Sequence, residues 1–205
     1  LSAPTEQYTL TAYDIETGRV LWEDANASKY NDTVFGSYLT YSEEYDILLQ
    51  STRPSRDTVA GESGKRFIAY RGSTGEILWD KEDQDGLYVD LPLLWNDTIV
   101  SPARFWRDHE KAIHFDLLTG EVLTRTNPIT GNEADLTWRR GYGCSHALGA
   151  QHLMTFRSGA AGYFDMTQLG GVGNFGGFKT GCTNALVVAD GLLNSPDYTR
   201  TCNCA

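Results

Sequence analysis

The chain has no apolar run of the ~18 residues that a membrane-crossing helix needs. It shows no secretory leader, and Leu1 reads as the start of a mature or trimmed chain. Basic side chains are in short supply: 17 Lys and Arg against 27 Asp and Glu give a net charge of −10. Phosphate backbones and anionic headgroups are repelled by such a surface, which argues against nucleic acid and against membrane attachment or insertion. His109, His114, His146 and His152 lack the i,i+4 and His-Glu-x-x-His spacings of a metalloprotease. No Gly-x-Ser-x-Gly elbow is present, so a hydrolase triad has no sequence context. The first two thirds of the chain contain no cysteine.

What the chain does have is repetition. "AYDIETGRVLWE" (12–23) returns as "AYRGSTGEILWD" (69–80) and as "IHFDLLTGEVLTR" (113–125), with a worn copy, "GYFDMTQLGG", at 162–171. Repeats fix an architecture before any single residue is interpreted. Each copy is an apolar-aromatic strand, a Thr-Gly turn and a second strand, which makes a β-hairpin. Gly18, Gly75 and Gly120 supply the positive φ that the turn requires. Trp22 and Trp79 hold one position in two copies. His114 is placed at the second position of its phrase, level with Tyr13 and Tyr70, as a packed strand residue rather than a ligand.

A second set of signals fills the spaces between these phrases. Asp190-Gly191 in "VVADGLLNSP", Asn96-Asp97 in "LLWNDTIVSP" and the longer "YLTYSEEYDILLQS" (38–51) read as hairpins. "GCSHAL" (143–148) recurs as "GCTNAL" (181–186). Pairing each such hairpin with a Thr-Gly hairpin gives four-stranded blades of ~40–50 residues. The expected fold is therefore all-β, a β-propeller of four-stranded antiparallel blades. About four blades lie in residues 1–205, read as one propeller domain or part of one from a larger protein. A self-contained four-bladed ring is the other reading.

The Thr-Gly phrase resembles the repeat of the pyrroloquinoline-quinone-type (PQQ-like) β-propeller family, Ala-x-Asp-x-x-Thr-Gly-x-x-x-Trp. The first copy matches through Ala12, Asp14, Thr17, Gly18 and Trp22. The second keeps Ala69, Thr74, Gly75 and Trp79 but has Arg71 in place of Asp; the third keeps Asp116, Thr119 and Gly120 and has Thr124 in place of Trp. The resemblance implies that Trp22 and Trp79 dock between adjacent blades. The run from Gly141 to Cys202 also resembles a stretch of large exported planctomycete-type repeat proteins, which implies an extracytoplasmic location: periplasmic, cell-surface or secreted.

In such a propeller, Cys144 and Cys182 stand at equivalent positions of neighbouring first strands, and Cys202 and Cys204 follow on the next turn back. The expectation is a Cys144–Cys182 disulfide, with Cys202 and Cys204 paired together or with cysteines elsewhere, in an oxidising compartment. Free thiols and a four-thiolate metal site stay open, although one C-x-C and two singletons are unlike a zinc site.

Some members of the family are quinoprotein dehydrogenases, with PQQ and calcium on the axis beneath a disulfide between adjacent cysteines. This chain has Cys202-Asn203-Cys204 instead. Other members use the repeat as scaffold alone, including outer-membrane assembly lipoproteins. The expected function is a non-enzymatic binding or assembly scaffold without catalytic residues, cofactor or metal. Its partner would be a protein or carbohydrate, alongside the rest of the propeller in the same polypeptide. A PQQ- or metal-dependent dehydrogenase completed by residues elsewhere is the alternative.

Trp138, Arg139, Arg140, Tyr142 and His146, joined by Arg157, form a candidate ligand mouth for an anion or a carbohydrate. The simpler account is a loop pinned by arginine–carboxylate pairs. "LGGVGNFGGFKTG" (169–181) has Gly171 and Gly173 but no following helix to receive a pyrophosphate; it reads as an irregular connection held by Phe175 and Phe178. Asn26, Asn31 and Asn96 open N-glycosylation sequons.

Overall fold

The computed structural model describes residues 9–24, 38–52, 66–82, 91–101, 112–141, 143–169, 171–181 and 184–196. Every regular element among them is a β-strand. The first Thr-Gly phrase forms the hairpin β1 (Leu10–Tyr13) and β2 (Val20–Asp24). A four-stranded antiparallel sheet follows in the order β3 (Tyr38–Ser42), β4 (Ile47–Thr52), β5 (Arg66–Arg71) and β6 (Ile77–Glu82). The next sheet contains β7 (Leu93–Trp95), β8 (Thr98–Val100) and β9 (Ala112–Asp116). Its fourth strand is β12 (Thr137–Trp138), because the hairpin β10 (Thr124–Thr126) and β11 (Glu133–Asp135) intervenes. A third complete sheet runs β13 (Leu148–Gly149), β14 (Leu153–Ser158), β15 (Ala160–Asp165) and β16 (Val172–Asn174). β17 (Val187–Ala189) and β18 (Leu192–Asn194) form a last hairpin. These successive four-stranded meanders are β-propeller blades, so the fold expected from the repeats is the one observed.

The sequence turns behave as their chemistry requires. Asn96, Asp190 and Gly191 take positive φ at the two-residue turns, and Asp46 does so at the end of the β3–β4 loop. Each Thr-Gly turn closes identically: Gly18 donates to the Asp14 carbonyl, Gly75 to that of Arg71 and Gly120 to that of Asp116, all at 2.8 Å. This equivalence moves His114. It aligns with Ala12 and Ala69, while Phe115 aligns with Tyr13 and Tyr70. The earlier placement of His114 beside the tyrosines is off by one, and its burial as a strand residue stands. The repeat also reproduces an irregularity, a register shift at Ala12/Tyr13 in β1–β2 and at Ala69/Tyr70 in β5–β6.

Two compact units divide the chain, residues 1–99 with 115–121 and residues 100–114 with 122–205. In the first, Phe67, Ile68, Ala69 and Tyr70 of β5 are all buried, on both faces of the strand. Continuous burial of a strand means that both its faces are covered, which a blade's third strand achieves by packing between neighbours. Phe67 meets Phe115 edge-on at 5.7 Å, and Trp22 stacks on Tyr70 at 6.2 Å. In the second unit the continuous burial falls on the second strand of its sheet, β14, through Met154, Thr155, Phe156 and Arg157, with Trp138 against Phe156 at 4.9 Å.

The Gly-rich stretch is more regular than expected. It supplies β16, which pairs with β15 through Gly162–Asn174 and Phe164–Val172. Phe175 does hold the following turn, packing on Tyr163 at 4.7 Å and on Phe178 at 6.5 Å.

The surroundings of two glycines yield a differential test. A Cβ at Gly75 would lie 2.6 Å from the Trp22 ring, whereas a Cβ at Gly18 would meet nothing within 4 Å. Gly18→Ala should therefore cost only the left-handed backbone, roughly 1–2 kcal/mol. Gly75→Ala should cost more, because the indole must also move. Urea midpoints of the two variants check the ordering.

Candidate functional site

The residues that carry chemistry in the repeat are engaged in building it. Asp14 Oδ1 accepts from the Glu16 and Thr17 amides at 3.1 and 2.7 Å and from the Thr17 hydroxyl at 2.7 Å. Asp116 does the same for Leu118 and Thr119, and Asp165 for Thr167 and Gln168. These are turns in which a carboxylate replaces a backbone acceptor. The Thr17 hydroxyl holds Asp14 below the ordinary carboxylate range, and the Thr167 hydroxyl does likewise for Asp165.

Where Arg71 stands for Asp, a different carboxylate takes over. Asp46, from the β3–β4 turn, accepts from the Ser73 hydroxyl at 2.6 Å, the Ser73 amide at 3.3 Å and the Tyr41 hydroxyl at 3.0 Å. Its own carbonyl accepts from Gly72 at 2.8 Å, and Arg71 donates to the Tyr45 carbonyl at 2.9 Å. The Ser73 hydroxyl lowers the Asp46 pKa, while the bond to Asp46 raises that of Tyr41. The turn thus keeps its carboxylate although the motif position has lost it.

The indoles of Trp22 and Trp79 each reach a later Thr-Gly turn. Trp22 Nε1 donates to the Gly72 carbonyl at 2.7 Å with its ring under Gly75; Trp79 Nε1 donates to Leu117 at 2.9 Å with its ring under Gly120. Thr74 lies on the intervening turn, where its hydroxyl accepts from the Glu76 amide at 3.3 Å.

The third copy departs. Leu123 donates to the His114 carbonyl and Leu136 accepts from the His114 amide, both at 2.9 Å, so the chain leaves the blade at Leu123 and returns at Leu136. The excursion is β10–β11. Its tip, "NPITGN", is a further copy of the turn, in which Asn127 Oδ1 accepts from Ile129 and Thr130 at 2.9 and 3.1 Å. Asn in the Asp position and Pro128 behind it hide this copy, although Thr130-Gly131 is the visible signal. The docking indole missing at Thr124 is not replaced in kind: Trp138, on β12, donates to the Ser101 carbonyl at 2.9 Å.

Little of the candidate ligand mouth is open. Trp138 is 3% exposed and Arg157 0%, so both are corrected from ligand-facing to interior groups. Arg157 extends from β14, which is buried on both faces, and its Nη1 lies 3.5 Å from the Thr180 carbonyl. Arg140 is half-buried and donates to the Ser145 carbonyl at 2.6 Å; that is a loop pin, but to a carbonyl rather than a carboxylate. Arg139 and His146 are exposed. Tyr142 lies outside the described residues, as do Cys182, Cys202, Cys204, His109 and the sequons at Asn26 and Asn31. Cys144 is half-buried on the segment leading into β13. Asn96 is exposed at its turn. Among the described residues, no group of three or more His, Cys, Asp or Glu is placed to hold a metal ion, and no helix is long and apolar enough to cross a membrane.

His114 is the least ordinary side chain. It is 2% exposed, meets Phe164 edge-on at 6.0 Å, and neither ring nitrogen has a hydrogen-bond partner. Burial, with Arg125 nearby as the lesser cause, pushes its pKa down to about 4.

No protein-family model matches the chain, and no curated protein matches it. Among solved structures it is similar to BamB from Moraxella catarrhalis, at 16% identity and a TM-score of 0.44. The match covers 78% of this chain and 53% of that one, so the chain spans about half the length of that structure.

The pH consequence of His114 follows from its two protonation equilibria. Unfolded, it binds a proton near pH 6.5; folded, only near pH 4. Between those values the unfolded state holds more protons, so stability falls with falling pH, by up to roughly 3 kcal/mol. Asp14, Asp46 and Asp165 titrate below that window. His114→Phe should remove the slope between pH 4 and 6.5 without lowering stability at pH 7. Denaturation midpoints across that range test it, and an unchanged slope would place the titrating group elsewhere.

Proposed function

We propose that this propeller domain is a non-enzymatic scaffold for binding or assembly, acting outside the cytoplasm. One observation carries the reading: the carboxylates of the repeat are hydrogen-bonded by their own turns. Asp14, Asp116 and Asp165 are occupied by turn amides and hydroxyls, and Asp46 by Ser73 and Tyr41. Trp22 and Trp79 are committed to neighbouring turns. What remains for partners is the outer surface, acidic overall and carrying exposed apolar side chains such as Ile15, Leu21 and Ile129. A protein partner with a basic or mixed face fits that surface better than an anion does.

The cysteines belong to the same reading. A Cys144–Cys182 disulfide, with Cys202 and Cys204 paired to each other or elsewhere, would suit an exported domain. The dehydrogenase alternative requires PQQ and calcium held by side chains of several blades.

Calorimetric titration with calcium and PQQ, followed by a dye-linked dehydrogenase assay, separates the two. The scaffold reading expects no saturable uptake and no turnover. Stoichiometric quinone binding with oxidation of an alcohol or sugar would overturn it. A peptide map without reductant that recovered Cys144 as a free thiol would remove the disulfide part alone.

A further inference from the structure

The third copy of the repeat lacks the indole that the first two dock, and the turn beyond it has no room for one. In that turn the Leu169 amide donates to the Asp165 carbonyl at 3.1 Å, as Gly75 does to Arg71 and Gly120 to Asp116. Leu169 thus holds the place of the glycine, at a φ of 50°. A Cβ at Gly75 or Gly120 would lie 2.6 or 2.8 Å from the Trp22 or Trp79 ring. A leucine at that place puts its own Cβ where the indole would lie. The contact with the preceding repeat must be made by other groups.

A docked tryptophan supplies two things, a ring and an N–H donor, and here two side chains divide them. The ring comes from the opposite strand. Trp22 stands across from Ala12 and Trp79 across from Ala69. His114 holds the place of those alanines, while the place of the tryptophans is taken by the exposed Thr124. Trp22 stacks on Tyr70 at 6.2 Å; His114 meets Phe164, the equivalent of Tyr70, at 6.0 Å. The donor comes from the residue after Thr124. Where Trp22 and Trp79 donate to the Gly72 and Leu117 carbonyls of the later turn, Arg125 Nη1 donates to the Leu169 carbonyl at 3.0 Å.

We propose that His114 and Arg125 together replace the docking tryptophan at this junction, and that this divided lock, unlike the two indole locks, is released by acid.

An indole gains no proton in the ordinary pH range, whereas an imidazole does. The His114 ring is buried and neither nitrogen has a hydrogen-bond partner, so its charged form loses hydration without compensation. The charge that acts on it, Arg125 of β10, is also positive. Asp116 on its own strand and Asp165 on β15 accept from their own turns, and Glu133 and Asp135 of β11 are exposed. β8 and β12 bring no charged side chain. Burial first, and Arg125 second, lower the His114 pKa from 6.5 to about 4. The closed junction therefore takes a proton near pH 4 and an opened one near pH 6.5. Between those values opening binds a proton, so it becomes more favourable as pH falls. The hairpin β10–β11 is rooted on the same residue, through the Leu123 amide and the Leu136 carbonyl, and loosens with it.

Residue-resolved hydrogen exchange on the full chain at pH 7 and pH 5, corrected for intrinsic rates, tests the proposal. The Leu169 amide is compared with those of Gly75 and Gly120, which close the same turn above an indole. The expected result is an opening equilibrium that rises on the order of tenfold at Leu169, Leu123 and His114 between pH 7 and 5, with Gly75 and Gly120 unchanged. His114→Phe keeps a ring against Phe164 and should abolish the rise. Arg125→Leu removes the donor and should raise exchange at Leu169 already at pH 7. A flat response at Leu169, or an equal rise at all three turns, overturns the proposal on the wild-type protein alone. So does a rise that persists in His114→Phe.

Discussion

The docking of an indole under a glycine turn is the contact on which the rest of the fold depends. A blade cannot bury both faces of its third strand alone; it needs a neighbour held at a fixed height. Trp22 and Trp79 set that height, because each indole fills space that only glycine leaves open and donates to one carbonyl of the same turn. The turn must therefore be held first, by a carboxylate accepting the amides of its tip. Gly, Asp, Thr and Trp recur together because each is one component of a single lock.

The same lock accounts for the polar residues of the repeat. The acidic residues at fixed repeat positions are acceptors for their own turns, and the carboxylate supplied by Asp46 shows that the turn requires the acceptor more than it requires a particular position. Interior polar residues have the same character. Arg157, Ser145 and Thr180 are buried together in the second unit, and the Ser145 hydroxyl accepts the Arg157 amide at 3.2 Å.

The hairpins were legible in the sequence because their signals are local: period-two alternation, Thr-Gly and Asp-Gly turns, and a tryptophan at a fixed distance. The inserted hairpin β10–β11 was not, since nothing local shows that β9 will be covered by Thr137 and Trp138 rather than by the residues after Gly120. For the same reason Trp138 and Arg157 look available in a linear reading and prove interior. Burial on both faces comes from neighbouring blades, and the strands "LMTFRS" and "AIHFD" carry no mark of it beyond apolar content. His114 is legible as a strand residue, but its orphan ring nitrogens are a tertiary fact.

A double-mutant cycle between Trp79 and Gly120 tests the lock most directly. Trp79→Leu removes the ring, and Gly120→Ala adds a Cβ that would lie 2.8 Å from it. If the indole and the turn form one unit, Gly120→Ala costs much less once Trp79 is gone, and the coupling energy is about 1 kcal/mol or more. Additive losses would mean that the two residues act independently, and that the blades are held in register by something else.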